Sequence, residues 1–317
     1  MQPEIIALGE PMLEFNALEA GSLSEVERFS VGWGGDTSNF AVAASRLGGK
    51  VGYLTRLGED EFGDSFVHLW KTEGIDTSGV ERDPAASTGI YFISRKGDRH
   101  FFTYYRAGSA ASRMTPGFLA RDHIRNAKLL HVSGISQAIS LGACDTVFAA
   151  IQTAREAGVL ISYDPNLRTK LWPLDRARAV IHHSIALSDL ALPSIEDASA
   201  LTGLTDPEEI ARYYLNKGPR LVVVKLGSEG ALLAGAREGK TPQIVRTPAF
   251  KVETVDAAGA GDTFDGAFVV AWLAGRPLAQ CLEFAAAAGA LTTTGLGAVR
   301  PIPKPAQVED FLKQHRE

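Results

Sequence analysis

Apolar positions along the chain follow two alternating rhythms. Short runs in which nearly every residue is apolar occupy residues 4–9, 128–133, 159–164, 190–193 and 221–226. Such runs, rich in Val, Leu and Ile, predict strands buried on both faces. Residues 37–47, 63–73, 141–157, 174–188 and 207–216 instead repeat their apolar positions at helical spacing. This alternation predicts an α/β fold: a mostly parallel central sheet with helices on both faces. Beyond residue 258 the pattern turns helical and rich in alanine, in two segments, 259–275 and 277–294.

Two stretches leave this rhythm. Residues 10–32 and 88–105 alternate in polarity, as half-exposed strands do. Within the second, two β-rich runs flank Lys96-Gly97-Asp98-Arg99, a hairpin signal. Together they predict a small antiparallel β lid inside a single domain spanning 1–317. An apolar, two-sided lid leaves one face to be covered, which makes it the expected contact of a homodimer.

Composition narrows the function classes. A net charge of −5 without clustered Lys and Arg argues against a nucleic-acid partner. Apolar stretches such as 264–273 are too short to span a bilayer, so no membrane partner is expected. The start, Met1-Gln2-Pro3-Glu4, lacks a basic segment before a long apolar one, and a cytoplasmic location is expected. Cys144 and Cys281 lie far apart in helical patterns and read as free thiols. His131, His182 and His183 show no ligand spacing, so no protein-held metal site is expected.

Candidate chemistry concentrates in Asp256-Ala257-Ala258-Gly259-Ala260-Gly261-Asp262, which follows the β-rich run 250–255 and opens a helix. Gly259 and Gly261 permit a tight turn and close backbone approach. The helix N-terminus offers unpaired N–H groups to an anion. Asp262, in the first turn, can cap the helix or take a proton from a hydroxyl beside that anion. A second polar cluster is Gly34-Gly35-Asp36-Thr37-Ser38-Asn39. Here Gly34 and Gly35 allow the backbone to approach a sugar, and Asp36 and Asn39 offer hydroxyl-binding groups. The alternative is a glycine turn with Asp36 or Thr37 as cap.

Three further segments sit at predicted strand ends, where open α/β sheets place ligands: Tyr104-Tyr105-Arg106, Ser133-Gly134-Ile135-Ser136 and Asp164-Pro165-Asn166-Leu167-Arg168. Arg106 and Arg168 bring two cations, suited to bidentate carboxylate recognition of an acidic substrate, unless they form structural ion pairs or bind phosphate. Strand alternation puts Tyr91 and Tyr104 on one lid face, toward a ligand or into the lid's own packing.

The segment from Asp256 to Asp262, continuing Thr263-Phe264, resembles the second signature of ribokinase-like (PfkB) sugar kinases. Gly34 to Asn39, followed by Ala41-Val42-Ala43 and Arg46-Leu47-Gly48, resembles the first. Similarity extends through residues 57–63, Val224-Lys225-Leu226-Gly227-Ser228-Glu229-Gly230 and Gly297-Ala298. The resemblance implies the ribokinase-like fold, ATP with Mg²⁺ held by phosphates and water, and a sugar or sugar-acid substrate. It implies Asp262 as the base, and Gly259, Ala260 and Gly261 as the anion hole. Lys225, Gly227, Ser228 and Gly230 would lie along the nucleotide, and Ala286, where many relatives carry Asn, would leave an apolar adenine site. Tyr104 to Arg106, Ser133 to Ser136 and Asn166-x-Arg168 followed by Leu171-Trp172 are similar to 2-keto-3-deoxygluconate kinases. Fructokinases share Asp-Pro-Asn-x-Arg, and Leu167 stands where the first subgroup often has Tyr, so fructose stays open. A non-catalytic sugar sensor is the reading of another class; intact Asp262, Gly259 and Gly261 speak for an enzyme.

Overall fold

The computed structural model describes residues 2–97, 99–235 and 242–315. Its strands are β1 (Ile5–Leu8), β2 (Met12–Ala17), β3 (Phe29–Gly34), β4 (Val51–Gly58), β5 (Val80–Asp83), β6 (Gly89–Lys96), β7 (Arg99–Tyr105), β8 (Leu129–Ser133), β9 (Leu160–Asp164), β10 (Leu190–Ala191), β11 (Leu221–Lys225), β12 (Ala231–Gly235) and β13 (Gln243–Thr247). Nine of them form one sheet in the order β13-β12-β11-β10-β9-β8-β1-β4-β5. Pairing is parallel from β11 to β5 and antiparallel for β12 and β13.

Successive side chains of a strand point to opposite faces. In β1, Ile5 and Ala7 therefore join the apolar layer on one face, with Phe40 and Phe268, while Ile6 and Leu8 join the other, with Val147 and Ile151. β11 divides likewise, Leu221 and Val223 against Val222 and Val224. A sheet covered twice needs apolar residues at consecutive positions, hence the continuous runs in the sequence.

Polarity patterning misses β4, whose sequence VGYLTRLG carries small and charged residues, and the β12–β13 hairpin. It also assigns β character to residues 250–255, which form no strand. Lys251, Glu253, Thr254 and Val255 are exposed there, so the segment has no neighbour to pair with along its length.

The lid is a four-stranded sheet in the order β3-β2-β6-β7. It is antiparallel at both edges, but β2 and β6 pair in parallel, because the chain leaves for β4 and β5 between them. Asp98 of the expected hairpin turn lies outside the described residues. Asp60 ties the lid to the main sheet. It caps the helix Glu61–Thr72 through Gly63 N–H (2.7 Å) and accepts from Thr88 N–H (2.7 Å) and Thr88 Oγ1 (2.8 Å), one residue before β6. The Trp33 indole adds a bond to Ser65 Oγ (2.8 Å).

Candidate active site

The parallel strands end on one edge of the sheet, and polar residues follow there: Gly9-Glu10 after β1, Ser133 closing β8, Asp164 closing β9, Lys225 closing β11. This is where an open α/β sheet binds its ligand. Two helices complete the edge. The helix Asp36–Arg46 starts at Gly35 (φ 98°), and the helix Ala260–Leu273 starts at Gly259 (φ 74°). Only glycine adopts such φ values cheaply. A side chain at Gly35 would also meet Glu10 O at 2.3 Å, and one at Gly259 would meet Ala298 O at 2.5 Å.

Gly34, beside Gly35, is crowded as well. At Gly34 the space for a side chain holds the Tyr91 hydroxyl, 2.5 Å from the built Cβ position. Both glycines admit protein atoms where the lid crosses the chain.

At the second helix start the N–H groups of Gly259, Gly261 and Asp262 have no acceptor among the described residues. The first-turn N–H groups of a helix have no intrahelical acceptor. Gly259 is the cap, its carbonyl accepting from Thr263 N–H at 2.8 Å, and Ala260 N–H lies 3.3 Å from Ala257 O. Gly261 and Asp262 then carry the first-turn N–H groups. Asp256, the other acid of the segment, clamps the loop: its two oxygens accept from Ala258 N–H (3.0 Å) and Gly297 N–H (2.9 Å).

A cavity of about 540 Å³ adjoins this start. All four residues expected along the nucleotide, Lys225, Gly227, Ser228 and Gly230, line it, as do Ala260 and Gly261. Its far wall is apolar or backbone, with Val252, Phe264, Ala286, Gly289 and Ala290. Residues 250–252, read from the sequence as β-rich, form part of that wall.

Asp262, Asn39 and Asp36 lie outside this lining. Asn39 Nδ2 donates to Asp262 Oδ2 at 2.8 Å, joining two motifs 223 residues apart. Asp36 Oδ2 accepts from Asn166 Nδ2 at 3.1 Å, and its Oδ1 from Thr37 N–H at 2.8 Å. Asn166 holds a positive φ of 34° at the end of β9, which turns its amide to Asp36. Desolvation and then the charge of Asp36 push Asp262 up to about 7, against the Asn39 bond and Lys225. Burial likewise raises Asp36.

The two arginines differ. Arg106 Nη2 bonds to the fully buried Glu10, whose second oxygen accepts from Ser109 Oγ (2.8 Å), so the Arg106 charge is balanced within the protein. The ion-pair alternative therefore holds for Arg106. Glu10 follows a parallel strand, and that position was the signal available in the sequence. Arg168 is exposed, donates to Leu167 O at 2.9 Å, and has no ion pair among the described residues. Its charge acts on Asp36 and Asp197.

Tyr91 and Tyr104 sit on one lid face as alternation predicts, stacked with centroids 5.6 Å apart. The Tyr91 hydroxyl, however, donates to Glu14 Oε2 at 2.6 Å. Tyr104 is 41% exposed, with the Arg106 guanidinium 5.7 Å over its ring.

Lys225 is more than a lining group. Its Nζ contacts Asp265 at 2.9 and 3.1 Å and Asp164 at 3.3 Å, with both carboxylates buried and Lys225 half-buried. Burial opposes the Lys225 charge, but the two carboxylates outweigh it and raise its pKa. Asp265 escapes motif reading, though an acid inside Thr263-Phe264-Asp265-Gly266-Ala267-Phe268 is a visible polar break in an apolar helix. His131 is structural: stacked on Phe40 at 3.6 Å, bonded to Ser162 Oγ and lowered by burial to about 3.

Residues 2–305 match the family described as pfkB family carbohydrate kinase. The chain is 35% identical over 314 residues to a 2-dehydro-3-deoxygluconokinase of Thermoproteus tenax, covering 98% of this chain and 94% of that protein. It is 34% identical over 321 residues to fructokinase-2 of Solanum lycopersicum, covering 98% and 96%. Among solved structures, the PfkB protein from Polaromonas sp. JS666 superposes with a TM-score of 0.87 at 34% identity, covering 97% and 99%. A sugar kinase of Pyrococcus horikoshii in complex with ATP gives 0.81 at 29% identity, covering 96% of each chain.

Proposed function

We propose a substrate and residue roles from the premise that the chain belongs to the pfkB family of carbohydrate kinases. It is an ATP-dependent sugar kinase, and in our reading it phosphorylates a primary hydroxyl of 2-keto-3-deoxygluconate. The carrying observation is Asp262, a carboxylate of raised pKa in the first turn of a helix whose free N–H groups adjoin a nucleotide-sized cavity. Asp262 takes the proton from the acceptor hydroxyl. The N–H groups of Gly259, Ala260 and Gly261, with Asp262 N–H beside them, stabilise charge on the phosphoryl group in transfer.

Mg²⁺ fits this site as a passenger of the nucleotide. Among the described residues no group of three or more His, Cys, Asp or Glu could hold a metal. Phosphate oxygens and water would carry the ion, and its chemistry there is charge neutralisation.

The sugar acid is supported by the 2-dehydro-3-deoxygluconokinase relative and by Arg168, a cation that has no ion pair among the described residues and whose charge acts on Asp36. Fructose is favoured instead by the Arg106–Glu10 pair, which removes one of the two expected cations, and by the fructokinase relative. Arg168→Ala separates them. Losing a charge-assisted bond of about 1.5–3 kcal/mol should raise KM for 2-keto-3-deoxygluconate by ~10–100-fold. KM for ATP and for fructose should change far less. Wild-type enzyme that prefers fructose, or a variant that loses both sugars equally, selects the fructokinase reading.

The lid supplies a further prediction. Closure over sugar would exclude water from the transfer. Amide exchange should then slow in β2, β3, β6 and β7 when sugar is added. Protection limited to the helix Ala260–Leu273 would refute closure.

A further inference from the structure

We propose that Asn39 is the positioning residue of the base: its amide holds one oxygen of Asp262, so that the other meets the acceptor hydroxyl. This rests on Asp262 being the base. The contact is built by packing rather than by chance approach. Asn39 and Ala43 lie one turn apart on the helix Asp36–Arg46, and Asp262 and Gly266 one turn apart on the helix Ala260–Leu273. Residues at that spacing share a helix face. At Gly266 the helices touch so closely that a Cβ would stand 3.0 Å from Ala43 Cβ, Ala44 N and Phe40 O. This tight seat fixes the distance one turn earlier, where Asn39 Nδ2 meets Asp262 Oδ2 at 2.8 Å.

Chemistry sets the amide's orientation. Turned over, its oxygen would face a carboxylate oxygen, two acceptors with no proton between them. Asn39 Oδ1 is buried without a hydrogen-bond partner among the described residues. Asn39 itself is only 4% exposed.

The surroundings of Asp262 explain why a neutral donor suits the position. Asp36 from the first helix and Asp164 from β9 oppose ionisation of Asp262, and the Asp262 charge in turn raises Asp265 on its own helix and Tyr91 of the lid. Lys225 from β11 acts the other way. A second cation in contact would make the carboxylate too weak a base. An amide N–H supports the ionised form, fixes the rotamer and adds no charge.

The test is the pH dependence of kcat with whichever sugar the enzyme phosphorylates. In Asn39→Ala the acid limb should move up by about one pH unit, as loss of a hydrogen bond to an ionised group implies. At pH 7 kcat should fall ~5-fold, with KM for ATP within twofold. Asn39→Ser, which keeps a short donor, should give a smaller shift and serves if the alanine variant does not fold. An acid limb that stays in place, with only the sugar KM raised, would overturn the proposal and leave Asn39 a ligand contact. The base assignment fails separately: an active Asp262→Asn enzyme removes it whatever Asn39 does. An inactive Asp262→Asn enzyme beside an unmoved Asn39→Ala profile removes only this inference.

Discussion

Asp262→Asn is expected to reduce kcat by ~10²–10⁴, the usual cost of losing a general base, while the nucleotide still binds. The substitution keeps the size of the side chain and a first-turn polar group, so the helix start and its N–H groups survive. The cavity wall is untouched, because Asp262 is not part of it. What disappears is the proton acceptor. A pH profile of the wild-type enzyme checks the same assignment. Asp262 is raised to about 7, so it is protonated and inactive as a base below that pH. Activity should therefore climb as pH rises through about 7, and the Asn variant should lack this limb. ATP affinity by calorimetry must remain close to wild type. A variant with near wild-type kcat would end the assignment.

Lys225→Met should produce the largest loss of stability. The ammonium stands between Asp164 and Asp265, and the three side chains are 13%, 7% and 1% exposed. Removing one partner of a buried ion pair typically costs about 3–5 kcal/mol, because the remaining charge is desolvated without compensation. Here two carboxylates are abandoned by one substitution. The pH dependence has a definite sign. Asp265 is already raised well above its ordinary value by burial, with Lys225 as the main opposing influence. Without Lys225 its folded pKa rises further. A carboxyl of raised folded pKa favours the folded state below its unfolded value, about 3.9, and that advantage is lost as pH climbs through the folded value. The deficit of Lys225→Met should accordingly be small near pH 4 and grow toward pH 8. Urea unfolding at both pH values measures it. A deficit under about 1 kcal/mol, or one equal at both, would show that the cluster is not held by charge.

The fold and one half of the site can be read along the chain because their causes are local. Largely apolar runs mark β1, β8, β9 and β11, since each lies between two covered faces and most of its side chains pack into one layer or the other. The glycines before Asp262 are legible because a helix start in a left-handed backbone conformation constrains residues next to each other. Ala286, placed by the family resemblance and not by local pattern, lines the cavity beside that helix start. β4 escaped because Gly52 and Arg56 break its apolar run, although its neighbours β1 and β5 hold it in the sheet.

Which polar groups meet was decided only by tertiary structure. Arg106 and Arg168 are equivalent in sequence, each an arginine beyond a strand. Folding brings Glu10 to the first, 96 residues away, and leaves the second exposed. Lys225 lines the cavity as expected, and Asp164 and Asp265 converge on it from β9 and a distant helix. Gly34 looked open until Tyr91 filled its space from the lid. Asn39 and Asp262 share a hydrogen bond across 223 residues. Periodicity and backbone preference act between near neighbours and leave a mark in the sequence. The pairing of charges depends on which strand ends and helix faces pack together, and no local pattern encodes that.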